Sequence, residues 1–534
     1  MDFLPGRAFP LAKRGDFRKS QGLRRISRKS GLMLRNPRGG PPRRPSGGRL
    51  HMSDAIRFLL DGRMERLSGF DPTLTLLEWL RGPAGRMGTK EGCAEGDCGA
   101  CTVLVGELEG EGVLWRAVNA CIYFLPMLDG KALMTVESLG GEHPVQRDMV
   151  ELHGSQCGFC TPGIVMSLAG RAMGAAGTQE ADPRDVLAGN LCRCTGYGPI
   201  LEAARRNPQK PAADPELVAQ LRELRRKERL TLAWTDPATG VARRWIKPHD
   251  VADLARARLE SPEARIVAGA TDVGLWVTKR HRVLPEILHI GDLMREIEET
   301  PEGLKLGAGV RYAEAHAPMK RIHADLGELV RRIGATQVRN SGAVGANIAN
   351  GSPIGDTPPA LIALDAVLTL RRGDERRSLP LESYFLEYGK QDIRSGEFVE
   401  SVFIPRPAPE DFIRIVKLTK RFDSDISAVC MGLRLRMEGE RVASARLAFG
   451  GMAGTPKRAA AAEAALTGKP LSQDSLEAAA QALAQDFAPL TDMRGSSAYR
   501  LEAAGNLLRR FWFERAGAGG VLPQKPLMEG AFHG

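Results

Sequence analysis

The sequence predicts an α+β protein of several domains, and three observations support this. Its 534 residues are about three and a half times the roughly 150 residues of a common domain. Hydrophobic residues make up 43% and charged residues 26% of the chain, as in ordinary globular proteins, which excludes wholesale disorder and a coiled coil. Eight of its nine cysteines lie between residues 93 and 194, so one part of the chain carries a chemistry that the rest does not.

The basic character of the chain is confined to its first 51 residues. That segment holds 14 of the 75 Lys and Arg residues but 2 of the 64 Asp and Glu residues, so the remainder is close to neutral. A near-neutral body offers no electrostatic case for binding DNA or RNA. The twin Arg24-Arg25 is not followed by the apolar segment of a secretory signal, and no run reaches the roughly 20 apolar residues of a membrane span. We therefore predict a disordered extension over residues 1–51 and a cytoplasmic protein, with neither nucleic acid nor membrane as a partner.

Residues 52–137 are predicted to form a small mixed domain. Ile56, Phe58 and Leu60 form an alternating strand pattern, and the Asp61-Gly62 turn leads into a second short strand. A helix is predicted to begin near Asp71-Pro72. Two further strands, TVLVGEL and ALMTVESL, follow a glycine-rich stretch.

The rest of the chain divides into four parts. Residues 138–210 are predicted to be helical, with breaks at two cysteine pairs. Residues 211–235 contain prolines and then many charges, which indicates a linker with one exposed helix. Short strands alternate with helices over 236–410, and 411–525 form an α+β domain that ends in a helix from Tyr499 to Phe513.

The first cysteine set has the spacing C-x4-C-x2-C-x19-C, formed by Cys93, Cys98, Cys101 and Cys121. This is the plant-type [2Fe–2S] spacing. Four thiolates must surround two irons, and the glycines of this stretch let the backbone approach closely with its N–H groups aimed at the sulfurs. A zinc site shares the C-x2-C element, but the x4 spacing in a glycine-rich loop favours an iron–sulfur cluster.

The second set consists of two pairs, Cys157 with Cys160 and Cys192 with Cys194. On their own these pairs are also compatible with zinc. Each pair directly precedes a predicted helix with a proline in its first turn. Helix N-termini favour the negative charge of a thiolate-bound cluster, so we predict a second [2Fe–2S] cluster. Cys430 stands alone in an apolar segment and is predicted to be a buried core thiol.

Four stretches around these cysteines resemble the two iron–sulfur domains of the molybdenum hydroxylases: EGCAEGDCGACTVLVG, NACIYFLPMLDG, HGSQCGFCTPGIVMSL and LAGNLCRCTGYGPILEAA. Downstream, IVAGATDVGLWV, QVRNSGAVGANIANGSPIGDTPPALIALDA, LTKRFDSDISAVCMGLRL, AFGGMAGTPKRA and TDMRGSSAYRLEA resemble the flavin domain of the xanthine dehydrogenases. The resemblance extends from Met52 to about Phe513. It implies a β-grasp ferredoxin domain, a four-helix [2Fe–2S] domain, a two-lobed α/β FAD domain without a Rossmann fold, and an α+β C-terminal domain.

Two small-residue loops form the candidate flavin site. No G-x-G-x-x-G lies between a strand and a helix, so a Rossmann site is not supported. One loop, 268–272, follows a strand at Ile266-Val267 and precedes a helix over 273–278, and the other covers 342–347. Free N–H groups at a helix start can hold a pyrophosphate. Such loops are more often plain tight turns, so the residues alone leave both interpretations open.

The resemblance implies FAD contacts at a defined set of positions. They are Ile266, Val267, Ala268, Gly269, Ala270, Thr271, Asp272, Val273, Ile333, Ala343, Val344, Gly345, Ala346, Asn347, Asp356, Val399, Lys417 and Asp425. Ile333 stands where animal relatives have an aromatic residue. Phe422 and Asp425 belong to a loop that lies beside the isoalloxazine in the family. Without the resemblance, Lys417 would be a half-exposed strand residue and Asp356 an ordinary helix N-cap.

The resemblance also implies a role. The chain would be the electron-transfer subunit of a xanthine dehydrogenase that oxidises hypoxanthine and xanthine to urate, with two [2Fe–2S] clusters and FAD, NAD as acceptor and molybdopterin on a partner subunit. Because nothing here resembles the molybdopterin domain, we expect no catalytic residue on this chain. We expect a heterotetramer of two small and two large chains. The alternatives are the small subunit of another molybdenum hydroxylase, of aldehyde or aromatic-ring type, and a non-enzymatic redox carrier or zinc-stabilised module.

Overall fold

The first domain is built on a mixed five-stranded sheet, and the computed structural model describes residues 54–178, 181–209 and 214–515. Its strands are β1 (Ile56–Leu60), β2 (Arg63–Leu67), β3 (Thr102–Glu109), β4 (Gly112–Asn119) and β5 (Ala132–Met134). Their order is β2-β1-β5-β3-β4, and β1 pairs with β5 in parallel, as in a β-grasp sheet. The sequence analysis did not identify β4, which pairs with β3 along its whole length. The predicted extension over 1–51 lies outside the described residues.

Helix α1 (Leu76–Arg81) begins later than the predicted start near Asp71. The Asp71 carboxylate accepts a hydrogen bond from Thr73 N at 2.8 Å and so closes a turn before the helix. Thr75 and Glu78 form a reciprocal capping box, and this pair fixes the helix start.

The second domain consists of four helices around a small apolar core, as predicted. They are α2 (Pro144–Glu151), α3 (Thr161–Ala172), α4 (Pro183–Leu187) and α5 (Gly198–Arg206). Helices α3 and α5 each have a proline in the first turn and directly follow a cysteine pair. The structure therefore aims two helix N-termini at the second cysteine set.

Helix α6 (Pro215–Leu224) is not the exposed linker helix that the sequence predicts. Its Leu217, Leu221 and Leu224 side chains are buried against the β-grasp sheet. The apolar residues recur at helical spacing, so one face of α6 packs while its charged residues stay in water on the other. The prediction of an exposed helix was wrong because it was based on the many charged residues of this segment and not on the spacing of its leucines.

The flavin-domain segment contains two lobes. The first is a four-stranded sheet in the order β6-β7-β9-β8. Its elements are β6 (Leu230–Thr235), β7 (Ala242–Lys247), α7 (Val251–Glu260), β8 (Arg265–Val267), α8 (Val273–Thr278) and β9 (Glu286–His289). The strand at Ile266-Val267 and the helix after the first loop thus occur where predicted.

The second lobe is an antiparallel sheet in the order β10-β11-β16-β12-β13, with its helices on the chain between β11 and β12. Its elements are β10 (Ile297–Glu299), β11 (Gly303–Gly307), α9 (Tyr312–Ile322), α10 (Ala324–Arg331), α11 (Thr336–Arg339), α12 (Val344–Asn350), α13 (Thr357–Ala363), β12 (Val367–Arg372), β13 (Glu375–Pro380), β14 (Phe385–Glu387), β15 (Lys390–Gln391) and β16 (Phe398–Pro405). Strands β14 and β15 form a separate two-stranded ribbon.

The C-terminal domain is a four-stranded sheet followed by helices, as predicted. Its elements are β17 (Asp411–Leu418), β18 (Val429–Glu438), β19 (Arg441–Gly450), β20 (Lys457–Arg458), α14 (Ala460–Leu466), α15 (Gln473–Asp486) and α16 (Ser497–Arg515). Helix α16 contains the helix predicted from Tyr499 to Phe513. Within the described ranges, no helix is long and apolar enough to cross a membrane.

Candidate metal centres and flavin site

The first cysteine set comes together at one end of the β-grasp sheet. Cys93 and Cys98 lie in the glycine-rich loop before β3, and Cys101 directly precedes that strand. The antiparallel pairing of β3 with β4 brings Cys121, just after β4, beside Cys101. The Cys93 thiol lies within hydrogen-bonding reach of Cys98 and Cys121, and the Cys121 thiol within reach of Cys101.

The loop that carries Cys93 and Cys98 has the backbone that a cluster requires. Cys98 N points at the Cys93 sulfur at 3.4 Å, as expected for an amide that stabilises a thiolate. Gly99 has φ of +71°, and a Cβ on it would lie 2.1 Å from the Gly189 carbonyl oxygen. The contacts among these thiols lower the pKa of Cys93 and raise the pKa values of Cys98 and Cys121, so the support for a cluster comes from the backbone of the loop. These residues fit a thiolate-bound cluster.

The second set is assembled where α3 and α5 begin. The Cys160 thiol contacts Cys192, and the Cys157 thiol contacts Cys194. Cys157 and Cys194 are exposed, whereas Cys192 is buried. The eight cysteines of both sets are free thiols without disulfides.

Two side chains that the sequence analysis did not single out hold Cys192 in place. Cys192 N donates to the Tyr197 hydroxyl at 2.8 Å, and the Cys192 sulfur lies 3.1 Å from Thr195 Oγ1. Both residues belong to the CRCTGYG motif, and their place next to the cysteines in that motif could have identified them as part of the site.

The thiols of the second set make contact in two pairs, whereas those of the first set form a chain of contacts from Cys98 through Cys93 and Cys121 to Cys101. In the described ranges, no three His, Cys, Asp or Glu side chains are arranged around a single metal ion. Each iron of a [2Fe–2S] cluster takes two of the four protein ligands, and four neighbouring thiols in each set supply that number. The residues therefore fit two-iron clusters, and the assignment of the eight ligands remains a prediction.

Hydrogen bonds from residues 190 and 191 connect the two cysteine sets, and one of them runs from Asn190 Nδ2 to the Gly99 carbonyl oxygen at 3.2 Å. Leu191 N, next to Cys192, donates to the Cys98 carbonyl oxygen at 3.0 Å. A Cβ on Gly92 would lie 2.9 Å from the Cys98 sulfur and 3.4 Å from the Phe159 ring. Both cysteine loops of the helical domain therefore touch the loop that holds Cys98.

The two candidate flavin loops pack directly on each other. A Cβ on Gly269 in the first loop would lie 1.7 Å from the Ser341 carbonyl oxygen, so glycine is required there. Ala270 has φ of +57°, a left-handed conformation that costs free energy for a residue with a side chain. The strain and the tight packing mark this loop as a built feature rather than an ordinary turn.

The second loop differs from the prediction. Helix α12 starts at Val344 with Ala343 as its N-cap residue, so the part of the predicted loop from Val344 to Asn347 is the first turn of a helix. Val344 N and Gly345 N donate to the Val310 and Ala308 carbonyls at 2.9 and 3.1 Å. These two amides are already used and are not free for a pyrophosphate, because a neighbouring chain segment pairs with the helix start.

Asp356 and Lys417 form a buried ion pair between α13 and β17. Ser427 Oγ donates to Asp356 Oδ1 at 2.5 Å. Lys417 is only 6% exposed, so it is not a half-exposed strand residue. Asp356 does occupy the N-cap position of α13, but its side chain makes no cap hydrogen bond. Cys430 lies beside them with its sulfur 3.4 Å from the Asp356 carbonyl oxygen, and burial raises its pKa well above the usual value. The prediction of a core thiol is confirmed.

A chain of hydrogen bonds links the second loop to Asp356. Tyr312 N donates to the Gly342 carbonyl at 3.0 Å, and the Tyr312 hydroxyl lies 2.9 Å from Thr357 Oγ1. Thr357 Oγ1 donates to Asn347 Oδ1 at 2.8 Å. Asn347 and Asp356 are thus neighbours, and Tyr312 is a residue of this site that the sequence analysis missed.

The remaining candidates are placed less specifically. Ile333 and Val399 belong to the apolar core of the second lobe, and their contact with a flavin stays a prediction. Against the effect of burial, two backbone hydrogen bonds, from Arg421 N and Ile426 N, lower the pKa of Asp425. This carboxylate thus stabilises its own loop. The loop reaches the first cysteine set, because Ser424 Oγ lies 3.3 Å from an Asp97 carboxylate oxygen.

Four family models match consecutive parts of the chain. They are a 2Fe-2S iron-sulfur cluster binding domain over 59–125, a [2Fe-2S] binding domain over 135–205, an FAD binding domain in molybdopterin dehydrogenase over 239–407, and a CO dehydrogenase flavoprotein C-terminal domain over 414–515. The first two matches contain the two predicted cysteine sets. This chain carries the iron–sulfur and flavin domains of the molybdenum hydroxylases. The predicted α+β multidomain fold, with two [2Fe–2S] domains and an FAD domain, is confirmed.

Curated relatives have the same domains within longer chains. The xanthine dehydrogenase of Emericella nidulans is 31% identical over 86% of this chain and 38% of its own. Xanthine dehydrogenase 1 of Arabidopsis thaliana is 30% identical over 87% of this chain and 39% of its own. This chain therefore spans less than two fifths of the length of these two relatives. A reconstituted CO dehydrogenase structure from Oligotropha carboxidovorans is 26% identical over 51% of this chain and 97% of its own, with a TM-score of 0.48.

Proposed function

We propose that this chain is the electron-transfer subunit of a xanthine dehydrogenase, which connects a molybdopterin-bearing partner subunit to NAD. The observation that carries the proposal is the order of contacts within one compact unit. The second cysteine set touches the first through Leu191 and Cys98, and the first set touches, through Asp97 and Ser424, the loop between β17 and β18 that carries the predicted flavin contact Asp425. A relay needs its redox groups in such a sequence.

Each group has a defined set of residues on this chain. The two cysteine sets would hold the [2Fe–2S] clusters, and the two packed loops with Asn347, Asp356 and Lys417 would hold FAD. When bound, these groups supply the electron storage and hydride exchange that protein side chains lack. The chain itself fixes the spacing, through the 3.0 Å hydrogen bond from Leu191 N to the Cys98 carbonyl, and shields Cys101 and Cys121, which are buried.

The face around the second cysteine set supports a partner subunit there. Cys157 and Cys194 are exposed, and beside them Phe159 and Leu191 expose 48% and 46% of their surface. Apolar side chains next to a redox centre favour a docking surface that a partner covers. We assign this face to the molybdopterin-bearing subunit, and we expect two small and two large chains in a cytoplasmic enzyme.

Separate half-reactions test the proposal. The purified chain loaded with iron and FAD should oxidise NADH with an artificial electron acceptor, because hydride exchange requires only the flavin and a nicotinamide beside it. It should not oxidise xanthine until the partner subunit is added. Replacing Cys160 by Ser should then abolish xanthine-dependent NAD reduction and spare NADH oxidation. Xanthine oxidation by this chain alone, or coupled turnover after verified loss of the second cluster, would contradict the proposal.

A second candidate function is the equivalent subunit of another molybdenum hydroxylase. The match of residues 414–515 to the CO dehydrogenase flavoprotein C-terminal domain favours keeping this alternative. Assaying the complex with the co-purified large subunit against xanthine, an aldehyde and an aromatic heterocycle separates the two. Turnover of xanthine with NAD supports the first candidate, and turnover of another substrate alone supports the second.

A further inference from the structure

The buried carboxylate of Glu107 connects the iron–sulfur domain to a loop of the flavin domain. Glu107 lies on β3, is 7% exposed, and accepts hydrogen bonds from Arg311 Nη1 and Nη2 at 2.6 and 2.7 Å. Lys131 and Arg116 of the β-grasp domain also pair with it, at 2.9 and 3.1 Å. Burial raises the pKa of Glu107, but Arg311, Lys131 and Arg116 outweigh it and hold that pKa well below the usual value.

Arg311 is in turn paired with the second flavin loop. Its backbone forms an antiparallel bridge with Ala343. On either side, Tyr312 N donates to the Gly342 carbonyl at 3.0 Å and Val344 N donates to the Val310 carbonyl at 2.9 Å. Arg311 therefore binds the Glu107 carboxylate with its side chain and pairs through its backbone with the start of α12.

Two more contacts place the same stretch on the β-grasp sheet. Asn340 Nδ2 donates to the Ala117 carbonyl of β4 at 3.1 Å, and Gln337 Nε2 donates to Thr102 Oγ1 of β3 at 3.2 Å. The first flavin loop rests on this stretch as well, through Gly269 and Ser341. Both flavin loops are thus supported, directly or through each other, by the iron–sulfur domain.

A buried ion pair is a weak source of stability, because desolvation of the charges offsets their attraction. The bidentate geometry of an arginine on a carboxylate instead gives orientation. We propose that Glu107 is a positioning residue for flavin binding, which acts through Arg311 to hold the second flavin loop in its binding conformation. This inference rests on the proposed flavin site and adds to it a dependence on the iron–sulfur domain.

The test compares FAD affinity with iron content in the full chain. In Glu107→Gln, which keeps the shape but removes the charge, we expect the FAD dissociation constant to rise about tenfold while iron per chain stays at the unmodified value. The matched control is Glu463→Gln, since Glu463 is also buried and also holds an arginine, Arg458, at 2.9 Å, but in the C-terminal domain. The control should bind FAD like the unmodified chain.

Arg311→Lys provides a second variant in case Glu107→Gln folds poorly. It keeps the positive charge opposite Glu107 but loses the two-pronged geometry, so FAD affinity should fall with iron content unchanged. Unmodified FAD affinity in both variants would overturn the inference, as would a parallel loss of iron and FAD in both, because that pattern means a general structural role. Failure of the unmodified chain to bind FAD would instead contradict the proposed flavin site.

Discussion

His289 should make the chain less stable at mildly acidic pH. It lies at the end of β9, is 1% exposed, and its ring lies 5.0 Å from that of Trp245. Neither ring nitrogen has a hydrogen-bond partner among the described residues. Burial lowers the pKa of His289 to about 3, an effect that the nearby Asp292 opposes and that Lys247, Lys131 and Arg311 reinforce.

The sign and size of the effect follow from proton binding. Below about pH 6.5 the unfolded chain protonates this histidine, whereas the folded chain does not until about pH 3. Folding therefore loses stability as the pH falls, by about 1.4 kcal/mol per pH unit once the unfolded form is fully protonated. Between pH 7 and pH 5 the loss is about 2 kcal/mol. The carboxylates Glu107 and Asp292 do not contribute in this range, because their pKa values are also lowered and the unfolded carboxylates titrate below it.

The assay is urea unfolding at pH 7 and pH 5 for the unmodified chain, His289→Phe and His289→Gln. Phenylalanine keeps the ring contact with Trp245, and glutamine keeps a neutral polar group, so the two variants share only the loss of the titrating group. From pH 7 to pH 5, the free energy of unfolding of each variant should fall by about 2 kcal/mol less than that of the unmodified chain. Any packing penalty affects each variant equally at both pH values. An unchanged pH dependence in both variants would refute the reasoning.

Three further outcomes are expected. Cys192→Ser should lower iron from about four to about two per chain and leave the plant-type signal in the paramagnetic resonance spectrum. The control Cys430→Ser, at a buried thiol outside both sets, should keep all the iron. Equal loss of iron in both variants would contradict the ligand assignment. Gly269→Ala should lose FAD absorbance but retain iron, because the new Cβ would lie 1.7 Å from the Ser341 carbonyl oxygen; full FAD content would exclude this loop from the site. Deletion of residues 1–51 should leave iron and FAD content unchanged and move the isoelectric point from about 9.3 to near or below neutral. A truncated chain that fails to fold would show that the segment is structural.

The sequence by itself determined the features that short stretches of chain can encode. The cysteine sets were predictable because their ligands lie in short glycine-rich or helix-leading segments whose spacing already suits a cluster. The strand at Ile266-Val267, the helix that follows and the prolines that begin α3 and α5 were predictable for the same reason. The domain order and the domain types followed from these local patterns and from the resemblance that they carry.

Only the tertiary structure decided which distant side chains meet. Lys417 and Asp356 are 61 residues apart in the sequence, and Glu107 and Arg311 are 204 residues apart. No local sequence pattern therefore predicts that either pair is in contact. The buried face of α6 depends on an apolar patch of the β-grasp sheet that its own sequence does not contain. The start of α12 depends on backbone pairing with the segment 308–310. That segment accepts hydrogen bonds from the Val344 and Gly345 amides, which the local sequence alone would leave free. These contacts arise from packing between domains, where burial and desolvation of specific charges, rather than local propensity, set the arrangement.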